Sequence, residues 1–390
     1  MLIHTRVSPP VVLVDPVRLL PRFWATAWST GFAGRSLAEN TLVMRLRHIG
    51  AFYDHCDERF GVDALDGALS TRDATALRSM LESFYLYLTE SPGYTTTTVQ
   101  RWDSVRQFAL DIVTQQGVES EAHRALASAI GAFGRIRSPR RGRFKFARAL
   151  PTSTLVDLLE IAEPNSSRNP FKSERTRWRN WLVLNLLLLC GLRRGEAMLL
   201  KADSLKRDAD PDSGQWVCWL DVTTTEDEDP RARRPSIKTE ESHRQIPVSA
   251  DLADLFDRYL ADYRQNDGRH GFLLTSRDGD PLSAESFSKM FEALTDALAP
   301  QPRARFDERT GGKRHISPHD LRHTCATARS AMFIAQDPDR ELAMQRLRAF
   351  FGWSVHSKMP ELYARAAIQD DLMRTWRTLF DARVHELRSL

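Results

Sequence analysis

Apolar residues recur at helical spacing along most of the chain, and the places where that rhythm breaks divide it into segments. Leu42, Leu46, Ile49 and Phe52 predict an amphipathic helix from Asn40, with Arg45, Arg47 and His48 on its other faces. Leu77, Met80, Leu81, Phe84, Tyr85 and Leu88 predict a second helix, stopped by Ser91, Pro92 and Gly93. Val99, Trp102, Val105, Ala109 and Ile112 predict a third, entered through the threonines at 95–98, whose hydroxyls suit N-caps. Residues 1–20, rich in Pro and Val, lack any such period and read as an extended lead-in. A small helical bundle is therefore expected over 1–134.

A second helical region starts after Leu150. Pro151 and the Thr/Ser cluster behind it suit a cap for Leu155, Leu158 and Leu159, and Arg177 to Leu189 is apolar on most sides, ending at Cys190 and Gly191. The aromatic and β-branched content of Gln215 to Val222 predicts a strand, and Ile237 to Val248 is expected to continue the sheet as two more. The acidic-then-basic stretch between them, 223–235, is expected to be an exposed loop. Helices are predicted from Ser249, with Leu252, Leu255, Phe256, Tyr259 and Leu260 on the apolar face, and over Ser283 to Ala297. A short strand and turn fills 271–283, and the basic, Gly-containing 301–316 is expected to be a loop. From Ser317 the pattern is helical again, and Leu372, Trp376, Leu379, Phe380, Val384 and Leu387 form an apolar stripe on a last helix. The expected fold is mainly α: a helical N-terminal domain (1–134), a linker (135–150), an α-rich domain with a small antiparallel β-sheet (151–366), and a C-terminal helix (367–390) that docks on its own domain or on a neighbour.

Charge sharpens this picture where it is uneven. The net charge of +4 over 390 residues decides little. The segment Arg135 to Arg148, however, carries seven Lys or Arg residues and no acid, so it repels itself unless a polyanion lies alongside. A nucleic-acid backbone satisfies that need, with Arg137, Arg140, Arg141, Arg143 and Lys145 as contacts, and Arg45, Arg47, Arg101 and Arg106 on the N-terminal helices as further ones. Cys56, Cys190, Cys218 and Cys325 stand far apart without a CxxC pair, which argues against a zinc module or a disulfide scaffold and for a reducing cytoplasm. The longest apolar run, Trp181 to Cys190, is too short to span a bilayer.

The chemistry-bearing residues concentrate in a few stretches. Arg193 follows the end of a buried helix and precedes Glu196; His319 and Arg322 share a helix face, with His323 behind them; Trp353 and Tyr363 lie further on. Two arginines can neutralise the extra charge on a phosphodiester under attack, a tyrosine can be the nucleophile, His319 a proton acceptor, and Lys238 the acid for a leaving oxygen. No metal-ligand pattern accompanies them, so no metal or other cofactor is expected.

In order and context these stretches resemble the tyrosine recombinase, or phage integrase, family. CGLRRGEAMLL is similar to its first arginine box (Arg193, Glu196), and IKTEESHRQIPV to its β-hairpin lysine segment (Lys238). SPHDLRHTCAT is similar to its His-x-x-Arg box (His319, Arg322), and FFGWSVHSKMPELYAR to the segment ending in its nucleophile (Trp353, Tyr363). Two departures stand out: Trp353 occupies a position where many members have His, and the gap to Tyr363 is one residue longer than the common pattern, Lys358 being the extra one. The resemblance implies a catalytic set of Arg193, Lys238, His319, Arg322, Trp353 and Tyr363, supported by Glu196 and His323. It further implies a core-binding domain ahead of the catalytic domain, a double-stranded DNA recombination site as partner, a homotetramer on paired sites, and metal-independent cleavage and rejoining through a 3′-phosphotyrosyl bond. A type IB topoisomerase or a catalytically silent DNA-binding protein would share part of this pattern.

Overall fold

The computed structural model describes residues 1–4, 11–90, 95–115, 124, 127–128, 130–131, 149–212, 214–224, 229–231, 234–237, 240–265, 268–336 and 339–375. The chain divides into two compact units, Met1–Arg143 and Phe144–Leu390.

In the first unit the lead-in is more than an arm. Strands β1 (Leu2–His4) and β2 (Val11–Leu13) pair antiparallel with Leu2 opposite Leu13, and Val11 and Leu13 are buried while Val12 is not, the alternation of a half-buried strand. Helices α1 (Phe23–Thr30), α2 (Phe32–Arg35), α3 (Glu39–Phe60), α4 (Ala64–Thr71), α5 (Ala74–Glu90) and α6 (Thr96–Gln115) follow. Leu46, Ile49 and Phe52 of α3 meet Leu81 and Phe84 of α5 and Trp102 and Val105 of α6 in one core. The 91–93 stop lies outside the described residues. His48, expected off the apolar face, is buried, because Ser104 of α6 offers its hydroxyl 2.9 Å from Nδ1 and satisfies the ring. Arg22, just ahead of α1, is 5 % exposed and bound by Asp15, Asp57 and Asp63, with its guanidinium 5.1 Å over the Tyr53 ring.

The second unit is built around helix α8 (Glu174–Leu189), whose Leu182, Leu184, Leu186 and Leu187 are buried. It is preceded by α7 (Thr152–Ala162) and followed by α9 (Arg194–Leu199). The Thr/Ser cluster does not cap α7; Thr154 instead donates to the Pro302 carbonyl at 2.9 Å. A three-stranded antiparallel sheet runs in the order β3 (Leu205–Ala209), β4 (Trp216–Val222), β5 (Arg244–Val248), with Leu205 opposite Leu220 and Leu220 opposite Ile246. The strand expected at Ile237 is absent among the described residues, where a short 3-10 turn, Glu240–Ser242, leads into β5. The third strand is β3, an edge whose LKRDA sequence is mostly solvated and carries no apolar alternation. The loop between β4 and β5 is pinned rather than free at Asp229 and Arg231. These two pair at 2.6 Å, both nearly buried, and Arg231 donates to the carbonyls of Met198 and Leu282.

Helices α10 (Ala250–Arg258) and α11 (Ala284–Asp296) begin at the serines expected, Ser249 and Ser283 accepting from the backbone N–H of Leu252 and Ser286. Residues 301–316 are not a simple loop. Helix α12 (Pro300–Thr310) starts on Pro300, whose missing N–H costs nothing there, and buries a single apolar residue, Phe306. Helices α13 (Pro318–Gln336), α14 (Arg340–Phe351) and α15 (Met359–Thr375) complete the unit. Helix α15 continues unbroken through 366–367; the apolar stripe beyond residue 375 lies outside the described residues. Among the described residues all four cysteines are free, and no helix is long and apolar enough to cross a membrane.

Candidate active site

Helix α8 ends at Cys190, and Gly191 turns the chain with φ at +58°, a left-handed conformation that favours glycine. A side chain there would also collide with the Phe351 ring, since a Cβ would stand 2.3 Å from it. The turn delivers Arg193 to the N-cap of α9. Glu196, at the third helical position, accepts the Arg193 backbone N–H at 2.9 Å and its guanidinium at 2.5 Å, the carboxylate half of a capping box, since an arginine side chain has no acceptor to complete it.

Glu196 is 2 % exposed and is the hub of three guanidiniums. Besides Arg193 it meets Arg244 of β5 at 3.0 Å and lies 3.7 Å from Arg322 of α13. Burial alone would raise the Glu196 carboxyl, but Arg244, Arg322 and Arg193 outweigh it and hold the pKa below its ordinary value. One carboxylate against three guanidiniums leaves two positive charges uncompensated in a largely desolvated place. Arg322 is 2 % exposed and donates to the carbonyls of Gly191 and Phe351, the latter at 2.8 Å. Burial and the nearby Arg193 charge bring its pKa down to about 9, which still leaves it cationic at neutral pH.

The aromatic half of the site comes from the α14–α15 junction. Phe351, Trp353 and Tyr363 stack in sequence, with centroids 4.7 Å apart for the first pair and 5.3 Å for the second and the last two rings within 5° of parallel. Gly352 closes α14 in a left-handed conformation with φ at +59°, and a Cβ there would come within 2.8 Å of the Glu241 carbonyl. Bare backbone at 352 thus lets the Trp353 segment lie directly on the 3-10 turn before β5. Between Trp353 and Tyr363 the chain turns, Ser357 N–H donating to Ser354 O at 2.9 Å, and Tyr363 reaches the stack. Its side chain is 1 % exposed, and its hydroxyl lies 2.5 Å from Nδ1 of His323. Burial raises the Tyr363 pKa above the ordinary tyrosine value, with Arg322 opposing. His323 stands 4.1 Å, ring to ring, from His319, which is solvent-exposed. Burial and His319 bring His323 down to about 4, so its imidazole is neutral.

The fold therefore brings Arg193, Glu196, His319, Arg322, His323, Trp353 and Tyr363 together from four places in the sequence. Lys238 lies outside the described residues, as do Arg137, Arg140, Arg141, Arg143 and Lys145. Arg45 and Arg47 sit on α3, half-buried and exposed respectively, and Arg101 and Arg106 are half-buried on α6. Arg244 and Ser242 escaped the sequence reading. The Ser242 hydroxyl accepts from Arg193 at 3.1 Å, and Arg244 also donates to the Phe350 carbonyl at 2.8 Å, tying β5 to the end of α14. The signal for Arg244 was the alternation of β5, which puts it on the same face as buried Ile246. Among the described residues no group of three or more His, Cys, Asp or Glu is arranged to hold a metal ion.

A family model described as the phage integrase family matches residues 150–365. The chain belongs to the phage integrase family. A comparison with solved structures finds similarity to the XerA recombinase, at 13 % identity over 90 % of this chain and 97 % of that one, with a TM-score of 0.37. The XerH site-specific recombinase is similar as well. Its post-cleavage complex with a palindromic difH substrate aligns at 15 % identity over 90 % of this chain and 82 % of that one, TM-score 0.49. Its pre-cleavage complex with difH aligns at 15 % over 87 % and 78 %, TM-score 0.49. A search of the curated proteins returns no match. All the residues grouped around Glu196 and Tyr363 fall within the stretch matched to the phage integrase family.

Proposed function

We propose that this protein is a site-specific DNA recombinase that cleaves and rejoins duplex DNA through a covalent 3′-phosphotyrosyl bond on Tyr363, without a metal ion. The observation that carries this reading is the tyrosine set beside a carboxylate outnumbered by guanidiniums: the two uncompensated charges of Arg193 and Arg322 match a phosphodiester that gains negative charge as it is attacked. Arg193, 27 % exposed, meets the phosphate directly, Arg322 supplies a fixed charge behind it, and the Trp353 indole N–H and His319 serve as hydrogen-bond donors to its nonbridging oxygens. Lys238 protonates the departing 5′ oxygen. The phosphotyrosyl bond retains the energy of the broken phosphodiester, so the 5′ hydroxyl of a second duplex reseals it. Exchange between two duplexes with one tyrosine per strand calls for four protomers on paired sites. The basic stretch 135–148 and Arg45, Arg47, Arg101 and Arg106 hold the duplex through its phosphates, which makes binding steeply salt-dependent. Such work places the protein in the cytoplasm with the DNA.

The test is a nicked duplex carrying the recombination site, on which cleavage traps the adduct. The wild-type chain forms a covalent protein–DNA species that survives denaturation and forms equally in EDTA, whereas Tyr363→Phe binds the same DNA and forms none. Adduct from Tyr363→Phe overturns the nucleophile assignment, and relaxation of supercoils with no exchanged product redirects the reading to a type IB topoisomerase activity.

A further inference from the structure

When Tyr363 attacks phosphorus it must lose its phenolic proton, so the group within hydrogen-bond reach of its hydroxyl decides where that proton goes. The sequence reading gave the proton-accepting role to His319 and only a supporting one to His323, four residues further along the same face of α13. The structure separates them. His323 Nδ1 is 2.5 Å from the Tyr363 oxygen, whereas His319 packs edge-on against the far side of the pair with its ring open to solvent.

We infer that His323, not His319, is the group that takes the proton from Tyr363. The inference rests on reading Tyr363 as the nucleophile. The hydroxyl donates to Nδ1, which fixes the neutral tautomer with its hydrogen on Nε2. In cleavage the bond from the Tyr363 oxygen to phosphorus forms as the bond from phosphorus to the 5′ oxygen breaks. The phenolic proton moves to Nδ1, and the leaving oxygen takes its proton from Lys238. Resealing reverses each transfer, so His323 returns the proton to the phenolate as Tyr363 is displaced. His319, the exposed member, is left to hydrogen-bond the phosphate.

The surroundings make this transfer conditional on DNA. His323 is faced by His319, Asp320 and Arg322 from its own helix, by Lys313 from the segment before it, and by Tyr363 from α15, while Arg193 also bears on the tyrosine. Asp320 is engaged by Lys313, so the balance around the imidazole is cationic and resists a second positive charge. A phosphodiester at Arg193 and Arg322 supplies the missing negative charge, and more of it in the transition state. The pair is thus idle without substrate and competent with it.

His323→Asn tests this, because the amide can occupy the place of Nδ1 yet cannot become a cation. Wild type is expected to lose cleavage of the nicked duplex on acidification as His323 becomes protonated. His323→Asn, with unchanged melting temperature and DNA affinity, is expected to cleave about 10²–10⁴-fold more slowly and to lose that acid limb. His319→Asn keeps the limb. Imidazole added to His323→Ala restores adduct formation in proportion to its neutral form. Wild-type rate and pH profile in His323→Asn, while Tyr363→Phe remains adduct-free, overturn the proton role and leave the nucleophile standing. Loss of rate with no imidazole rescue and an unchanged pH profile overturn it too, assigning His323 to holding the tyrosine in place. Adduct from Tyr363→Phe removes the premise itself.

Discussion

Each unit of the molecule buries a charge cluster, and the two are near-inversions of one another. In the first unit the buried guanidinium of Arg22 is surrounded by Asp15, Asp57 and Asp63, the last also paired with the exposed Arg18; in the second a single carboxylate, Glu196, is surrounded by Arg193, Arg244 and Arg322. Both satisfy their central group, but the sign of what is left over differs. The surplus around Arg22 is negative and repels a nucleic-acid backbone, so that cluster serves to lock the entry of α1 onto the bundle. The surplus around Glu196 is positive and lies beside a tyrosine, so the same physics yields a place for a phosphate. A buried ion cluster therefore says little about function until its residual charge is counted.

The sharpest way to break the comparison is to remove the centre of the first cluster. Arg22→Met leaves three carboxylates facing one another at a half-buried site and is expected to cost about 3–5 kcal/mol of stability, read from urea unfolding. Adduct formation by the molecules that remain folded is expected to be unchanged. Next in size, Arg193→Ala removes one arm of the second cluster from a partly exposed position. Stability should shift little while cleavage of the nicked duplex falls about 10²–10³-fold in single-turnover measurements. A variant with the pattern reversed, unstable but fully active, would make Arg193 structural and dissolve the contrast.

The smallest effect is one the two units share. His48 and His55 in the first unit and His323 in the second all have folded pKa values below the ordinary 6.5, burial being the first cause in each case. Below 6.5 the unfolded chain takes up protons that the folded chain refuses, so stability is lost as pH falls, over a window that for His323 extends to about 4. The melting temperature is expected to drop across that window. His48→Gln should flatten the drop only in so far as the first unit melts first, which tells the two contributions apart.

Much of this architecture was legible because it is local. The α3, α5, α6 and α8 stripes follow from spacing alone, and Ser249 and Ser283 announced their helices. What was hidden depends on partners distant in sequence or on single residues. β3 is a solvated edge strand with nothing apolar to betray it, and α12 rests on one buried Phe306 behind Pro300. His48 looks like a surface residue until Ser104 is placed against it. At the site, the sequence named the arginines, histidines, tryptophan and tyrosine, but their spacing was silent on which histidine touches Tyr363, because α13 presents both. Arg244 was missed for a related reason: an arginine in an edge-like strand is ordinarily solvated, and only the fold shows Glu196 and the Phe350 carbonyl waiting for it.

The two carbonyls that grip Arg322 belong to the trailing ends of two helices: Gly191 follows the last turn of α8, and Phe351 ends α14. The C-terminal end of a helix carries partial negative charge, so the Phe351 carbonyl favours a cation there, and the Gly191 carbonyl in the turn after α8 adds a second fixed acceptor. The main-chain carbonyls thus fix the guanidinium in place, beside a Glu196 carboxylate that it shares with two other arginines, and its positive charge stays available to a phosphate. A lysine with its single nitrogen would be a poor replacement, since it lacks the planar fork that lets one side chain clasp both helix ends at once.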